Sequence, residues 1–225
     1  RAPGTRVVFS CRSLDYSAPL STPDLRVPQV VVEPMSDGQI RAFLDAYAPS
    51  LALELWAQLT ERGQLSLVRS PFLARLLVEQ ALHEGTRATS QAALITGFVR
   101  QALRREIELG NPLLEPDTLL TDRDVKRIAA GGWPGAYELP ERGALVGSVA
   151  GLAHAMQAGG TRPDGGQARI DYDAALAAVG HPRAADIVHA GVDLGWLDED
   201  TGADEVLFSH QLLQEYFAAR AFARH

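Results

Sequence analysis

Cysteine and lysine are almost absent from this sequence of 225 residues. Cys11 is the single cysteine, so the chain forms no internal disulfide and no cysteine-based zinc cluster. This usage is typical of a reducing compartment, and we expect a cytoplasmic protein. Lys126 is the single lysine, and because Val125 precedes it, the sequence lacks the Gly-Lys-Ser/Thr end of a phosphate-binding loop.

Long apolar runs and an excess of positive charge are also lacking. No apolar run is long enough for a membrane span, and the first residues do not have the basic and apolar pattern of a signal peptide. The formal net charge of −7 disfavours nucleic-acid binding, because an acidic surface repels phosphates unless a dense basic patch intervenes. Since the chain begins with arginine rather than methionine, we expect it to be part of a longer protein.

Two short segments near the start have the composition of buried strands. Residues 5–11 are mostly β-branched or apolar, and residues 29–33 form a second, shorter segment of the same kind. A loop that contains three prolines separates them. Because two short strands do not make a stable sheet alone, we expect them to be the last strands of a parallel α/β sheet whose earlier strands are missing from this chain.

Four helices are predicted between residues 36 and 112. Ser36 followed by Gln39 is a capping-box pattern, Pro49 ends the first helix, and Pro71 has the position of a helix start. The second helix runs to about residue 62, and the fourth covers about residues 90–109. Apolar residues at helical spacing form the predicted inward faces: Ile40, Phe43, Leu44, Tyr47, Leu51, Leu55, Trp56, Leu59, Phe72, Leu73, Leu76, Leu77, Leu94, Ile95, Phe98 and Leu103. Short connections between these helices predict a four-helix bundle.

The residues after Gly110-Asn111-Pro112 predict a second helical part that contains a hairpin. Helices are predicted over residues 122–130, 141–157, 171–179, 181–190 and 210–222. Between the last two helices, apolar segments on either side of Asp200-Thr201-Gly202 indicate a two-stranded hairpin. This order is that of a winged-helix variant. The sequence therefore predicts a mainly α protein in three parts: the end of the α/β sheet (1–35), a helical domain (36–112) and a winged-helix domain (113–225).

Four segments carry a family resemblance. They are Val7-Val8-Phe9-Ser10-Cys11-Arg12, Val30-Val31-Val32-Glu33-Pro34-Met35-Ser36, Ser70-Pro71-Phe72-Leu73, and the run from Phe208-Ser209-His210 to Tyr216-Phe217-Ala218-Ala219. In this order they resemble the sensor-1 strand, the turn into the helical domain, the proline motif and the winged-helix end of the NACHT family of STAND P-loop ATPases. Ser70 departs from the family, which more often has Gly or Asn before the proline, and the phosphate-binding loop is absent.

The resemblance implies roles for Arg12, Pro71 and His210. In the family, the strand-end arginine faces the terminal phosphate of ATP, so Arg12 is the candidate catalytic residue. The proline packs against adenine, and the histidine binds the β-phosphate of ADP. These residue types suit the roles, because arginine offers a planar charged fork to phosphate oxygens, and a helix N-terminus favours anions near His210. Mg²⁺ would be held by the upstream part of the protein.

The implied function is a switch driven by ADP/ATP exchange. The parent protein would hold ADP at rest, bind ATP when a sensor domain is engaged, and assemble into a homo-oligomer that drives an effector. Its implied partners are an upstream P-loop domain of the same protein and sensor and effector domains. Innate immune signalling and bacterial antiviral defence are the expected settings, and the lysine-poor composition favours a bacterial source. The chain alone is expected to have little or no ATPase activity.

The alternative function is a non-enzymatic winged-helix module that binds DNA or acts as an adaptor. The helices predicted at residues 183–190 and 211–222 contain few basic residues, which disfavours contact with DNA. Each site residue also has a simpler interpretation when taken alone. Arg12 would then be a surface arginine, Pro71 a helix start, and His210 a helix cap or a core histidine.

Overall fold

The computed structural model describes residues 27–28, 30–84, 90–159 and 167–223. Arg12 and the strand predicted at residues 5–11 lie outside this described part. The described chain is mainly helical and contains a small antiparallel sheet. None of the described helices is both long and apolar enough to cross a membrane.

The first part of the described chain consists of four α-helices. They are α1 (Asp37–Tyr47), α2 (Ala52–Glu61), α3 (Pro71–Glu84) and α4 (Gln91–Glu108), with a 3-10 turn at Leu65–Val68. The predicted capping box is confirmed, because the Ser36 side chain accepts from the Gln39 amide while the Gln39 side chain accepts from the Ser36 amide. Pro71 is the first residue of α3, as predicted, and Ser90 caps α4 through its side chain.

The strand predicted at residues 29–33 is wrong for residues 30–33, which form no strand. Val30, Val31 and Val32 have exposed fractions of 90%, 77% and 86%. A strand requires a neighbour that accepts and donates its backbone hydrogen bonds, and no strand pairs with these residues within the described part of the chain. The sheet that the structure does contain is antiparallel and lies in the C-terminal part.

Most inward residues predicted for α1–α4 are confirmed. Those buried are Ile40, Leu44, Leu55, Leu59, Leu73, Leu76, Leu77, Leu94, Ile95 and Leu103. Half-buried and packed against them are Phe43, Leu51, Trp56, Phe72 and Phe98. Tyr47 is the exception, with an exposed fraction of 63%. It is the last residue of α1 and stacks on Phe43 at 4.3 Å between ring centroids, outside the core.

The second part contains five more α-helices and three strands. In chain order these are α5 (Asp122–Ala130), α6 (Ala144–Ala158), β1 (Arg169–Asp171), α7 (Tyr172–Val179), α8 (Ala184–Asp193), β2 (Leu197–Asp200), β3 (Glu205–Phe208) and α9 (Gln211–Phe222). The strand order is β1-β3-β2, and both pairings are antiparallel. The register joins Ile170 to Val206 and Leu197 to Phe208.

The predicted hairpin is confirmed, and β1 was missed. Asp200 holds the turn, because its Oδ1 atom accepts from the amides of Gly202 and Ala203 at 3.1 Å each. Two predicted helix starts are too early, since α6 begins at Ala144 and α8 at Ala184. The β1 strand has three residues and follows residues 160–166, which are outside the described part of the chain.

Candidate functional site

The residues just before α3 form hydrogen bonds with the residues that lead into α1. Arg69, two residues before Pro71, accepts a hydrogen bond from the Met35 amide at 2.8 Å through its carbonyl oxygen. Its guanidinium donates to the Met35 carbonyl at 2.7 Å and to Asp37 at 2.8 Å. Because both backbone groups of Met35 are held by Arg69, the extended segment before α1 has a fixed position beside Pro71. The Pro71 side chain itself is exposed.

Phe72 connects the proline segment to His210. The two rings are stacked, with centroids 4.1 Å apart and planes 9° from parallel. Phe98 of α4 packs edge-on against Phe72 from another side, at 6.1 Å and 73°. The segment that contains Pro71 therefore contacts His210 through Phe72, although the two predicted site residues are far apart in sequence. Arg12 lies outside the described residues.

His210 is the N-cap of α9. Its backbone is extended, with φ −147° and ψ 139°, and its Nδ1 atom accepts from the Leu212 amide at 3.1 Å. The interpretation of His210 as a helix cap is thus confirmed. Because Nδ1 is an acceptor, the neutral imidazole carries its proton on Nε2, and any hydrogen bond that it donates comes from Nε2. Capping and donation to a ligand are compatible, since they use different ring nitrogens.

The N-terminal ends of α3 and α9 lie next to each other. Phe72 is the second residue of α3 and His210 is the cap of α9, so their ring contact joins the first turns of both helices. The first amides of a helix lack intrahelical acceptors, and the helix dipole makes this end partly positive. Two such ends side by side, together with a histidine N–H donor, suit an anion such as phosphate.

A buried hydroxyl pair joins α4 to α9. Thr96 is fully buried, Tyr216 is 9% exposed, and their oxygens are 2.7 Å apart. The single Thr96 proton is donated to the Ala92 carbonyl at 2.7 Å, so Tyr216 donates to Thr96. Tyr216 also accepts from Arg220 at 3.3 Å. The residue types did not indicate this pairing, because a buried tyrosine in an apolar sequence run is predicted as core.

Two arginines from different helices hold the loop of residues 131–143 between α5 and α6. Arg100 of α4 donates to the carbonyls of Gly135 at 2.7 Å and Glu138 at 2.7 and 2.9 Å, and its guanidinium lies 4.4 Å from the Trp133 ring centroid. Arg220 of α9 donates to the Tyr137 carbonyl at 2.8 Å and pairs with Glu141. We call the Phe72–His210 stack, the Thr96–Tyr216 pair and the Arg100 contacts with this loop the seam between α1–α4 and the C-terminal part. The Arg220 contacts lie within the C-terminal part.

The surface of α8 and the β2–β3 hairpin is acidic. Its carboxylates are those of Asp186, Asp193, Asp198, Glu199, Asp200, Asp204 and Glu205. Arg169 lies 3.1 Å from Glu205 and 3.4 Å from Asp200, and these hydrogen bonds, Glu205 first, raise the pKa of Arg169. Partial burial raises the pKa of the Tyr172 hydroxyl, and the charges of Glu199, Asp204 and Asp173 add to this effect. Arg183 is paired with Asp186 at 2.8 Å.

Comparison with known proteins identifies no family for this chain. No family model, no curated protein and no solved structure matches it. Among residues 27–28, 30–84, 90–159 and 167–223, no group of three or more His, Cys, Asp or Glu is arranged to hold a metal ion. The residues and their geometry therefore carry the proposals that follow.

Proposed function

We propose that this chain is the nucleotide-sensing part of a NACHT-type STAND signalling ATPase that switches by ADP/ATP exchange. The observation that carries the proposal is the Phe72–His210 stack, because it joins the proline segment of α3 to the histidine at the start of α9. These two described segments resemble the motifs that contact adenine and the β-phosphate in that family. A single bound nucleotide would touch both of them only if they were neighbours.

The order of elements in the C-terminal part supports a winged-helix domain. The sequence α6, β1, α7, α8, β2, β3 with strand order β1-β3-β2 is the arrangement of a three-helix core with a hairpin wing, here followed by α9. In the proposal, the four helices α1–α4 form the helical domain of the same family.

The local chemistry fits a nucleotide with its phosphates near the helix ends. The exposed Pro71 ring offers an apolar face to adenine. Nε2 of His210 donates to the β-phosphate where the first turns of α3 and α9 favour negative charge. In the proposal, Arg12 contacts the terminal phosphate of ATP, and the upstream domain supplies the phosphate-binding loop and Mg²⁺.

ADP that touches both α3 and α9 would hold the seam closed. ATP, whose additional phosphate engages Arg12 and the upstream domain, gives up the His210 contact and releases the C-terminal part. A ligand shifts such an equilibrium only through a difference in affinity for the two states, and the His210 contact supplies that difference. The released part then rotates, and the protein assembles into a homo-oligomer.

Charge on α8 and the hairpin weighs against the DNA-binding alternative. A winged helix of the DNA-binding kind presents a helix and a wing to the duplex, and both surfaces here carry carboxylates. The arginines of this face, Arg169 and Arg183, are already paired with carboxylates. Association with duplex DNA that weakens steeply with salt would favour the alternative and contradict the switch.

The proposal is tested by the nucleotide content of the full-length protein that carries this chain. The protein is purified, denatured and analysed by HPLC beside His210→Ala and Arg12→Ala variants. We expect ADP in the wild type, its loss in His210→Ala, and its retention in Arg12→Ala, because Arg12 is assigned to the terminal phosphate of ATP.

The matched control is His189→Ala. His189 is a histidine of α8 whose side chain is 71% exposed and lies 3.7 Å from Asp193, and it makes none of the seam contacts, so its removal should leave the ADP content unchanged. Absence of nucleotide from every variant, or equal ADP in the wild type and His210→Ala, overturns the proposal.

A further inference from the structure

We propose that Phe72 is a positioning residue that sets the orientation of the His210 imidazole for the diphosphate of the nucleotide. This inference rests on the proposed function, because it gives His210 a phosphate to contact. It assigns a distinct role to Phe72, whose side chain follows the proline segment but faces α9.

Two contacts fix the His210 ring. The hydrogen bond from the Leu212 amide to Nδ1, at 3.1 Å, sets the direction in which the edge of the ring points. The near-parallel Phe72 ring, 9° from the imidazole plane at 4.1 Å, sets the tilt of that plane. With both the edge and the plane fixed, the Nε2–H bond has one direction. A pre-oriented donor loses less freedom when it binds a phosphate oxygen.

Phe72 is itself held from the side of α1–α4. It is the second residue of α3, and Phe98 packs edge-on against it at 6.1 Å. A movement of the α3 start therefore carries the Phe72 ring with it and changes the face on which His210 rests. A nucleotide that binds at Pro71 and shifts the start of α3 would therefore also change the direction of the His210 Nε2–H bond.

A flat ring is required for this role, whereas a core role requires only apolar volume. Leucine at position 72 keeps most of the apolar volume but offers no planar face to the imidazole. Tyrosine keeps the planar face, and Phe72 is half-buried, which leaves room for a hydroxyl. Phe43→Leu is the matched control, because Phe43 is also a half-buried phenylalanine but stacks on Tyr47 of α1 rather than on His210.

The stack is tested first without nucleotide, by NMR of the histidine ring protons of the 225-residue chain. The His210 signals are assigned as those that disappear in His210→Ala. In the wild type, the ring current of Phe72 should move them upfield. Phe72→Leu should abolish that shift, while Phe72→Tyr and Phe43→Leu should retain it. An unchanged His210 shift in Phe72→Leu would overturn the inference.

The role of the stack is tested second by ADP affinity of the full-length protein, measured by calorimetry after nucleotide removal. We expect Phe72→Leu to weaken ADP binding about tenfold, the upper end for the loss of one aromatic pair. Phe72→Tyr should keep the wild-type affinity, and Phe43→Leu should leave it within about twofold. Circular dichroism establishes that each variant is folded.

The outcomes separate the two proposals. ADP binding in the wild type with equal affinity in a folded Phe72→Leu overturns the role of Phe72 and leaves the proposed function intact. No ADP binding by the wild type overturns the proposed function and the role of Phe72 with it. If Phe72→Leu aggregates, the ADP affinities of Phe72→Tyr and Phe72→Met are compared instead, since methionine keeps apolar volume without a ring. Equal affinities in these two variants would overturn the role of Phe72.

Discussion

The core of the C-terminal part and the seam are held by different interactions. In the core, Trp196, Phe208 and Phe217 are fully buried, and the Phe217 ring lies 5.2 Å from Trp196 and 6.1 Å from Phe208. At the seam, Phe72 and His210 are half-buried, and the hydroxyl pair contributes one hydrogen bond. A buried aromatic side chain contributes several kcal/mol, whereas a net hydrogen bond contributes about 1 kcal/mol.

The named seam contacts are therefore individually weaker than the aromatic packing in the C-terminal part, while the buried apolar residues of both parts form one continuous cluster. The contacts of Arg100 of α4 with the loop of residues 131–143 follow the same pattern, because its guanidinium donates to backbone carbonyls. In the proposed switch, rotation of the C-terminal part must break the seam contacts and part of the apolar packing that the two parts share.

A substitution in the core of the C-terminal part should have the greatest effect on stability. Phe217→Ala should lower the free energy of unfolding by about 3–5 kcal/mol, because it removes a fully buried ring from the Trp196–Phe208 cluster. Chemical denaturation measures this loss. The control is Phe222→Ala, in which a side chain that is 76% exposed is truncated, and the change should stay within about 0.5 kcal/mol. Similar losses in both variants would contradict the assigned core.

A substitution in the Thr96–Tyr216 pair at the seam should have a smaller effect on stability. Thr96→Val should cost about 1–3 kcal/mol, because it leaves the buried Tyr216 hydroxyl without the acceptor to which it donates. On a Tyr216→Phe background the same substitution should cost less, since no buried donor is then left unpaired. Chemical denaturation of the four proteins of the double-mutant cycle measures the difference.

Thr60 provides the matched control for this cycle. It is an exposed threonine of α2 whose hydroxyl donates to the Trp56 carbonyl at 2.5 Å, as Thr96 donates to Ala92, but it makes no contact across the seam. Thr60→Val should therefore change stability by less than about 0.5 kcal/mol on either background. Equal costs of Thr96→Val with and without the Tyr216 hydroxyl would show that the pair does not couple α4 to α9.

Local signals in the sequence predicted most of the helices. Ser36 and Ser90 accept from amides at the first turns of their helices, and proline at position 71 starts a helix because its ring fixes φ and its missing amide is not needed there. The hairpin turn at Asp200 is local in the same sense. Each of these elements is determined by residues a few positions apart, so the sequence pattern is sufficient to find it.

The errors and omissions concern contacts between distant residues. The apolar composition of residues 30–33 predicted a strand, but a strand forms only when a partner is present, and composition does not reveal the partner. Pro71 and His210 were predicted as site residues from separate segments. Their connection through Phe72 depends on how α3 and α9 pack. The Thr96–Tyr216 pair and the hydrogen bonds of Arg100 and Arg220 to one loop depend likewise on the packing of α4 and α9, which no local pattern encodes.

In the proposed switch, His210 distinguishes a diphosphate from a triphosphate at the seam. The most direct measurement is the melting temperature of the nucleotide-free full-length protein with saturating ADP and with saturating ATP, since a ligand that binds the folded state raises this temperature. In the wild type and in His189→Ala, we predict a larger rise with ADP than with ATP. In His210→Ala, we predict that this difference disappears. The same ADP-specific rise in His210→Ala as in the wild type would contradict the account.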